Sequence, residues 1–324
     1  MKAMVCEAFG GPEVLALRDV PDPESPAAGE IQVRIGARGV QYVDVLMLAG
    51  KYQFRPEPPF IPGGEAAGVV IAVGAGVIDF QVGDRVMSRH KLGACAEIGN
   101  APAAMCDKIP EGMSLEHAGV FRSAYATAYH ALLQRGRMVA GEWVLVHGAA
   151  GGIGIAAIHI AKLFGAKVIA TASTDAKRSA CLEEGADHAI DYRSGFVDQV
   201  KALTGGCGVD IVYDPIGDKV ADESLRCLAW GGRLLILGFL GGGPTSIRSN
   251  YLLIKGIDAI GVRIGGLMES NPALAIANMK TLVDLAGQGK LKPRISHRFR
   301  LDQTAEALQA VIDRAVIGKA VIVS

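Results

Sequence analysis

HGAAGGIG, residues 147–154, places four glycines in eight residues, after the apolar run WVLV and before IAAIHIAKLF. The spacing is Ala149-x-Gly151-x-x-Gly154, a dinucleotide fingerprint with alanine in the first glycine position. Gly151 would let the backbone approach a pyrophosphate, and Gly154 would let a helix pack closely on its strand. The helix start then offers unpaired N–H groups and the positive end of its dipole to phosphate. An NAD site usually carries Asp or Glu at the end of the second strand, to bond the ribose hydroxyls. Here that strand, KVIATAS, ends without an acid. Asp175, in TDAK, reads as a helix N-cap. Ser173, Lys177 and Arg178 suit a 2′-phosphate, which favours NADPH.

The surrounding elements must position this loop. WVLVH reads as a buried strand, the residues after the loop as a helix, and AKVIATA as a second strand. DAKRSACLEEG, FVDQVKALTGG and VADESLRCLAW read as helices; DHAID, DIVYDPIG, GRLLILGF and LIKGIDAIGV read as strands. Strands alternating with helices of this length predict an α/β fold with a doubly wound parallel sheet. Residues 1 to about 120 instead read as short strands broken by glycine and proline, with PEPPFIPGG as a loop. The tail returns to that texture through a helix (272–288), ISHRFR, DQTAEALQAVID and AVIVS. The expectation is a β-rich domain, 1–123 and 265–324, with a nucleotide-binding domain, 124–264, inserted into it.

Thirty-three basic residues balance thirty-three acidic ones in 324, so bulk charge gives no reason to expect nucleic acid or an anionic membrane as a partner. No run approaches the length of a membrane span, and the N-terminus lacks a signal-type apolar core. Six scattered cysteines without CxxC pairs fit reduced thiols in the cytoplasm.

AGKY (49–52), PGGEAAGVV (62–70), VGDRV (82–86), TAYHAL (127–132), HGAAGGIG, GADHAIDYR (185–193) and GGRLLILG (231–238) follow one another along the chain. Together they resemble the zinc-free quinone oxidoreductases, relatives of zeta-crystallin in the medium-chain dehydrogenase/reductase superfamily. The resemblance implies a GroES-like catalytic domain, a Rossmann domain, NADPH, a quinone or enone acceptor, and a homodimer. On it, Gly148 falls in the family's alanine position, and Gly152 and Ile153 touch the pyrophosphate. Ser173, Lys177 and Tyr192 hold the adenosine ribose and its phosphate. Gly238, Phe239 and Leu240 line the nicotinamide, with Thr127 near its carboxamide.

Zinc-dependent relatives hold their catalytic metal at positions that are Gln41, Gly64 and Ser123 here, and no four-cysteine lobe follows VGDRV. Neither three catalytic nor four structural ligands are present, so the resemblance implies catalysis without zinc. Tyr52 is the candidate proton donor, or else an aromatic of the pocket wall. Gln41 and Leu46 stand at substrate-facing positions. Arg122 and Arg263 would bind an acidic or phosphate-bearing acceptor if they faced the pocket, and otherwise point to solvent or an interface. His90 reads as loop decoration rather than a catalytic acid. The alternative activity is an enoyl-thioester (enoyl-CoA) reductase. The non-enzymatic alternative is an NADPH-binding structural or RNA-binding protein.

Overall fold

The structure is a computed structural model and describes residues 1–244 and 246–324. Contacts group the residues into two compact units, Met1–Ser123 with Met279–Ser324, and Ala124–Asn278. Residues 265–278 thus group with the second unit, not with the outer domain as the sequence pattern implied. Asn278 explains part of this, since it exchanges hydrogen bonds of 2.8 and 3.1 Å with the side-chain amide of Gln134.

In the first unit β1 (Lys2–Cys6) pairs antiparallel with β2 (Leu15–Asp19). The next strands of its first segment are β3 (Glu30–Gly39), β4 (Glu65–Val73), β5 (Arg85–Arg89), β6 (Ile98–Pro102) and β7 (Cys106–Lys108). β3 alternates, and Ile31, Val33, Ile35 and Ala37 all enter the core. Short helices α1 (Tyr42–Leu48) and α2 (Leu115–Gly119) lie between these strands and after them, and α3 (Arg122–Tyr129) runs from the end of this unit's first segment into the second unit. α1 was not recognised from sequence, although Gln41 and Asp44 form the reciprocal cap that starts it.

The second unit holds β8 (Trp143–Val146), α4 (Gly152–Leu163), β9 (Lys167–Thr171), α5 (Asp175–Glu183), β10 (His188–Ile190), α6 (Phe196–Leu203) and β11 (Val209–Asp214). It continues through α7 (Asp218–Cys227), β12 (Leu228–Ile236), α8 (Ser249–Lys255), β13 (Asp258–Gly261) and α9 (Ile264–Ser270). All pairs are parallel, in the order β10-β9-β8-β11-β12-β13. This is the doubly wound Rossmann order, with the direction of winding reversing beside β8, the strand that feeds the glycine loop. Leu228 pairs with Val209, so the expected helix VADESLRCLAW stops at Cys227 and its last residues open β12.

The chain then runs through α10 (Pro272–Gly287), β14 (Ile295–Arg300), α11 (Thr304–Ile312) and β15 (Lys319–Val323). These last strands complete a seven-stranded sheet, β14-β15-β3-β4-β5-β7, with β6 on the other part of β3. The GroES-like plus Rossmann α/β architecture expected from the sequence is therefore present. No described helix is long and apolar enough to cross a membrane.

Candidate functional site

β8 ends at Val146, and His147 turns into the core with 1% exposure. Its Nδ1 lies 3.0 Å from Thr171 Oγ1 and its Nε2 2.8 Å from Ser224 Oγ. Burial pushes its pKa down to about 3, so the ring is neutral and braces the ends of β8 and β9 against α7. Sequence reasoning missed this role, for which the only signal is a histidine closing an apolar strand.

The chain next passes through Gly148, at φ +58°, a conformation that favours glycine. Ala149 is fully buried, and Gly151 caps α4 in extended geometry. Gly154 and Gly151 then differ. A Cβ on Gly154 would lie 2.5 Å from the carbonyl oxygens of both Gly148 and Ala149. A Cβ on Gly151 would meet only Gly148 O, at 3.3 Å. Gly154 is therefore required by the chain's own packing, whereas a side chain at Gly151 would press on one backbone oxygen only, and less closely. The N–H groups of the first turn, at Gly152, Ile153 and Gly154, have no partners inside the helix. Unpartnered N–H groups at the start of a helix are donors suited to an anion.

Past β9, Ser173 and Lys177 are half-buried. The cap of α5 is Thr174, which accepts from Lys177 N at 3.3 Å, and not Asp175, which stands one residue inside the helix. A hydroxyl that reaches the third helical N–H outcompetes a carboxylate already inside the first turn. Arg178 is committed elsewhere, donating to Ala172 O and Asp191 Oδ2 at 3.2 Å and pairing with Asp175. Tyr192 packs against the core containing Ile190 and Phe196. Across the sheet, Asp214 is fully buried and accepts from Ile216 N and Gly217 N at 2.8 and 3.1 Å. Burial raises its pKa to about 6. Leu240 N and Gly241 N donate to Pro215 O and Ile216 O, at 3.1 and 2.8 Å, tying the turn after β11 to the turn after β12. A Cβ on Gly238 would sit 3.3 Å from Pro215 O, so glycine permits that approach. Phe239 remains 49% exposed beside it, Leu240 is half-buried, and Thr127 is half-buried on α3.

In the first unit, two of the three positions that the resemblance matched to zinc ligands, Gln41 and Ser123, are hydrogen-bonded to each other. Ser123 Oγ donates to Gln41 Oε1 at 2.9 Å, and Ser123 N donates to Glu65 Oε2 at 2.9 Å. Glu65 Oε1 accepts from Lys319 Nζ at 2.9 Å. Gly64 offers no side chain, while the carboxylate next to it is already shared by a cation and a backbone N–H. An amide and a hydroxyl bonded to each other are not zinc donors, so these residues do not fit the metal. Leu46 on α1 and Tyr52 in the following turn are both half-buried.

Asp44 accepts from Gln41 N at 2.8 Å and is buried beneath this group. Burial pushes its carboxyl up to about 7. The folded state therefore keeps a proton that the unfolded chain has released, and that stabilisation is present at low pH and lost as pH rises through about 7. Asp44→Asn cannot lose it. Between about pH 4 and 7 the variant should gain on the native protein by up to about 1.4 kcal/mol per pH unit, with little further change above that range. Urea unfolding across that range checks this; a difference independent of pH contradicts it.

The structure buries Arg122, leaves Arg263 exposed as one of its two expected readings has it, and corrects the reading of His90. Arg122 does not point to solvent: it is 8% exposed and ion-paired with Asp107. Arg263 is exposed at the start of α9, where it pairs with Glu269 at 2.5 Å. His90 is not loop decoration, being buried with its Nε2 2.8 Å from Ser88 Oγ and its pKa pushed by burial down to about 4.

Residues 27–140 match the family model described as the alcohol dehydrogenase GroES-like domain, and residues 152–281 match that described as zinc-binding dehydrogenase. Quinone oxidoreductase-like protein 2 of Rattus norvegicus is 37% identical over 321 residues, 98% of this chain and 91% of the relative. Quinone oxidoreductase of Homo sapiens is 32% identical over 314 residues, 96% of this chain and 94% of the relative. The crystal structure of Escherichia coli quinone oxidoreductase complexed with NADPH superposes with a TM-score of 0.93 at 30% identity, covering 100% of both chains.

Proposed function

The chain belongs to the quinone oxidoreductase type of the medium-chain dehydrogenase/reductase family, an oxidoreductase family, and from that premise we propose that it is an NADPH-dependent reductase of quinones or related α,β-unsaturated carbonyls acting without zinc. The observation that carries the reading is the open helix N-terminus at Gly151, combined with Ser173 and Lys177 where an NAD site would hold an acid.

NADPH, when bound, supplies the hydride. The first turn of α4, with Gly151 to Gly154, holds the pyrophosphate. Ser173, Lys177 and Tyr192 hold the adenosine ribose and its 2′-phosphate. Thr127 orients the carboxamide, while Gly238, Phe239 and Leu240 line the nicotinamide and exclude water. Gln41, Leu46 and Tyr52 receive the acceptor, and the Tyr52 hydroxyl or water provides the proton. A quinone or enone spreads its developing charge over a conjugated system. It therefore tolerates electrophilic help from hydrogen bonds alone, whereas an unactivated ketone needs a stronger Lewis acid.

A charge-assisted phosphate contact contributes about 1.5–3 kcal/mol. Lys177→Ala should therefore weaken NADPH binding by about 10- to 100-fold and change NADH binding by no more than about twofold. Titration of nicotinamide fluorescence measures both, and equal losses for the two cofactors would remove Lys177 from the phosphate site. The whole reading fails if no conjugated acceptor supports NADPH oxidation.

An enoyl-thioester reductase is the second reading, favoured by the half-buried Tyr52 alone, now that Arg122 and Arg263 are committed to Asp107 and Glu269. It requires an enoyl-CoA to surpass its simple ester by a large kcat/KM margin.

A further inference from the structure

We propose that Gln41 is a catalytic hydrogen-bond donor, and that the buried series Lys319–Glu65–Ser123 is a positioning device that turns its amide nitrogen toward the acceptor. This rests on the reductase reading above and names the group that takes up the acceptor's charge.

Lys319 and Glu65 are 8% and 2% exposed, and an ion pair so placed has given up most of its hydration. The fold makes room for it. A Cβ on Gly39 would stand 2.5 Å from Glu65 Oε1 and 3.1 Å from Gly119 O, so glycine at that point of β3 leaves the carboxylate room where it stands. Both Glu65 oxygens are used, Oε1 by Lys319 Nζ and Oε2 by Ser123 N, each at 2.9 Å. The second contact fixes the first turn of α3 where Ser123 stands. Its hydroxyl donates to Gln41 Oε1 at 2.9 Å, while Gln41 N donates to Asp44 Oδ2 at 2.8 Å. Backbone and carbonyl of Gln41 are thus both held. Its Nε2 makes no hydrogen bond among the described residues, and the side chain is only half-buried. What the site presents outward is therefore a pair of N–H donors.

That polarity suits the reaction. Hydride adds to the electrophilic carbon of the conjugated acceptor, and the π-electron pair moves to the carbonyl oxygen. The resulting oxyanion accepts a hydrogen bond from Gln41 Nε2 until Tyr52 or water delivers a proton to the product. The two electrons come from NADPH, which leaves as NADP⁺. Had the amide been reversed, its carbonyl oxygen would oppose the same charge.

The test uses 4-nitrophenolate as an oxyanion probe on protein saturated with NADP⁺, followed by the absorbance of the bound phenolate. Gln41→Leu, Ser123→Ala and the double variant are compared with the native chain, with thermal unfolding run alongside. Each single substitution should weaken phenolate binding by about tenfold or more. The double variant should be no worse than Gln41→Leu, because Ser123 acts through Gln41. With 1,4-benzoquinone, Gln41→Leu should lower kcat on the order of 10²-fold with little change in KM. Unchanged phenolate binding in Ser123→Ala, or losses that multiply in the double variant, overturns the proposal. If the phenolate series behaves as stated while no quinone or enone is reduced, the donor stands and the reductase reading falls.

Discussion

Lys319→Met should destabilise the protein by about 3–5 kcal/mol, more than a typical substitution does. The side chain of Lys319 is 9% exposed and that of Glu65 3%, and their ion pair spans 2.9 Å. Methionine fills the volume of the lysine but leaves the carboxylate buried without its cation. The penalty is thus the desolvated charge left behind, not the lost attraction. Removing the partner as well tests this. Lys319→Met with Glu65→Gln should recover most of the loss, since a neutral amide can still accept from Ser123 N. Urea unfolding of the two single variants and the double measures the cycle. Additive losses would mean that the pair is not coupled.

Gly154→Val should abolish cofactor binding and destabilise the second unit by about 1–3 kcal/mol or more. The new Cβ would begin 2.5 Å from two backbone carbonyl oxygens, and backbone cannot rotate aside as a flexible side chain does. The strand–helix junction must open, which moves the N–H groups offered to the pyrophosphate. Gly151→Ala provides the contrast, because its Cβ meets nothing closer than 3.3 Å. It should lower the melting temperature far less than Gly154→Val and still weaken NADPH. Thermal unfolding and fluorescence titration of both variants decide the matter. Equal melting temperatures for the two would show that Gly154 has no packing role.

These glycines were legible in the sequence because their requirement is local. The turn, the helix start and the close approach all lie within HGAAGGIG. The alternation from β8 to β13 was legible for the same reason, as hydrophobic periodicity is written residue by residue. What escaped notice depends on contacts far apart in the chain. Gln41 meets Ser123 across 82 residues, and Glu65 meets Lys319 across 254. Nothing near Arg122 in sequence indicates that Asp107 will bury and neutralise it. His147 is a related case. Its position beside the loop was plain, but Thr171 and Ser224 come from another strand and another helix, and only the fold brings them to its ring. The misassigned cap at Asp175 is a smaller error of another kind, since Thr174 and Asp175 are both good capping residues and one step along the chain separates them.

The most direct test of the central claim is consumption of NADPH by the purified protein with 1,4-benzoquinone as acceptor, with NADH in a parallel run. The account predicts turnover with NADPH, much less with NADH at equal concentration, and a large loss in Gln41→Leu. Equal rates with both cofactors, or no turnover with the quinone or any other conjugated acceptor, would contradict it.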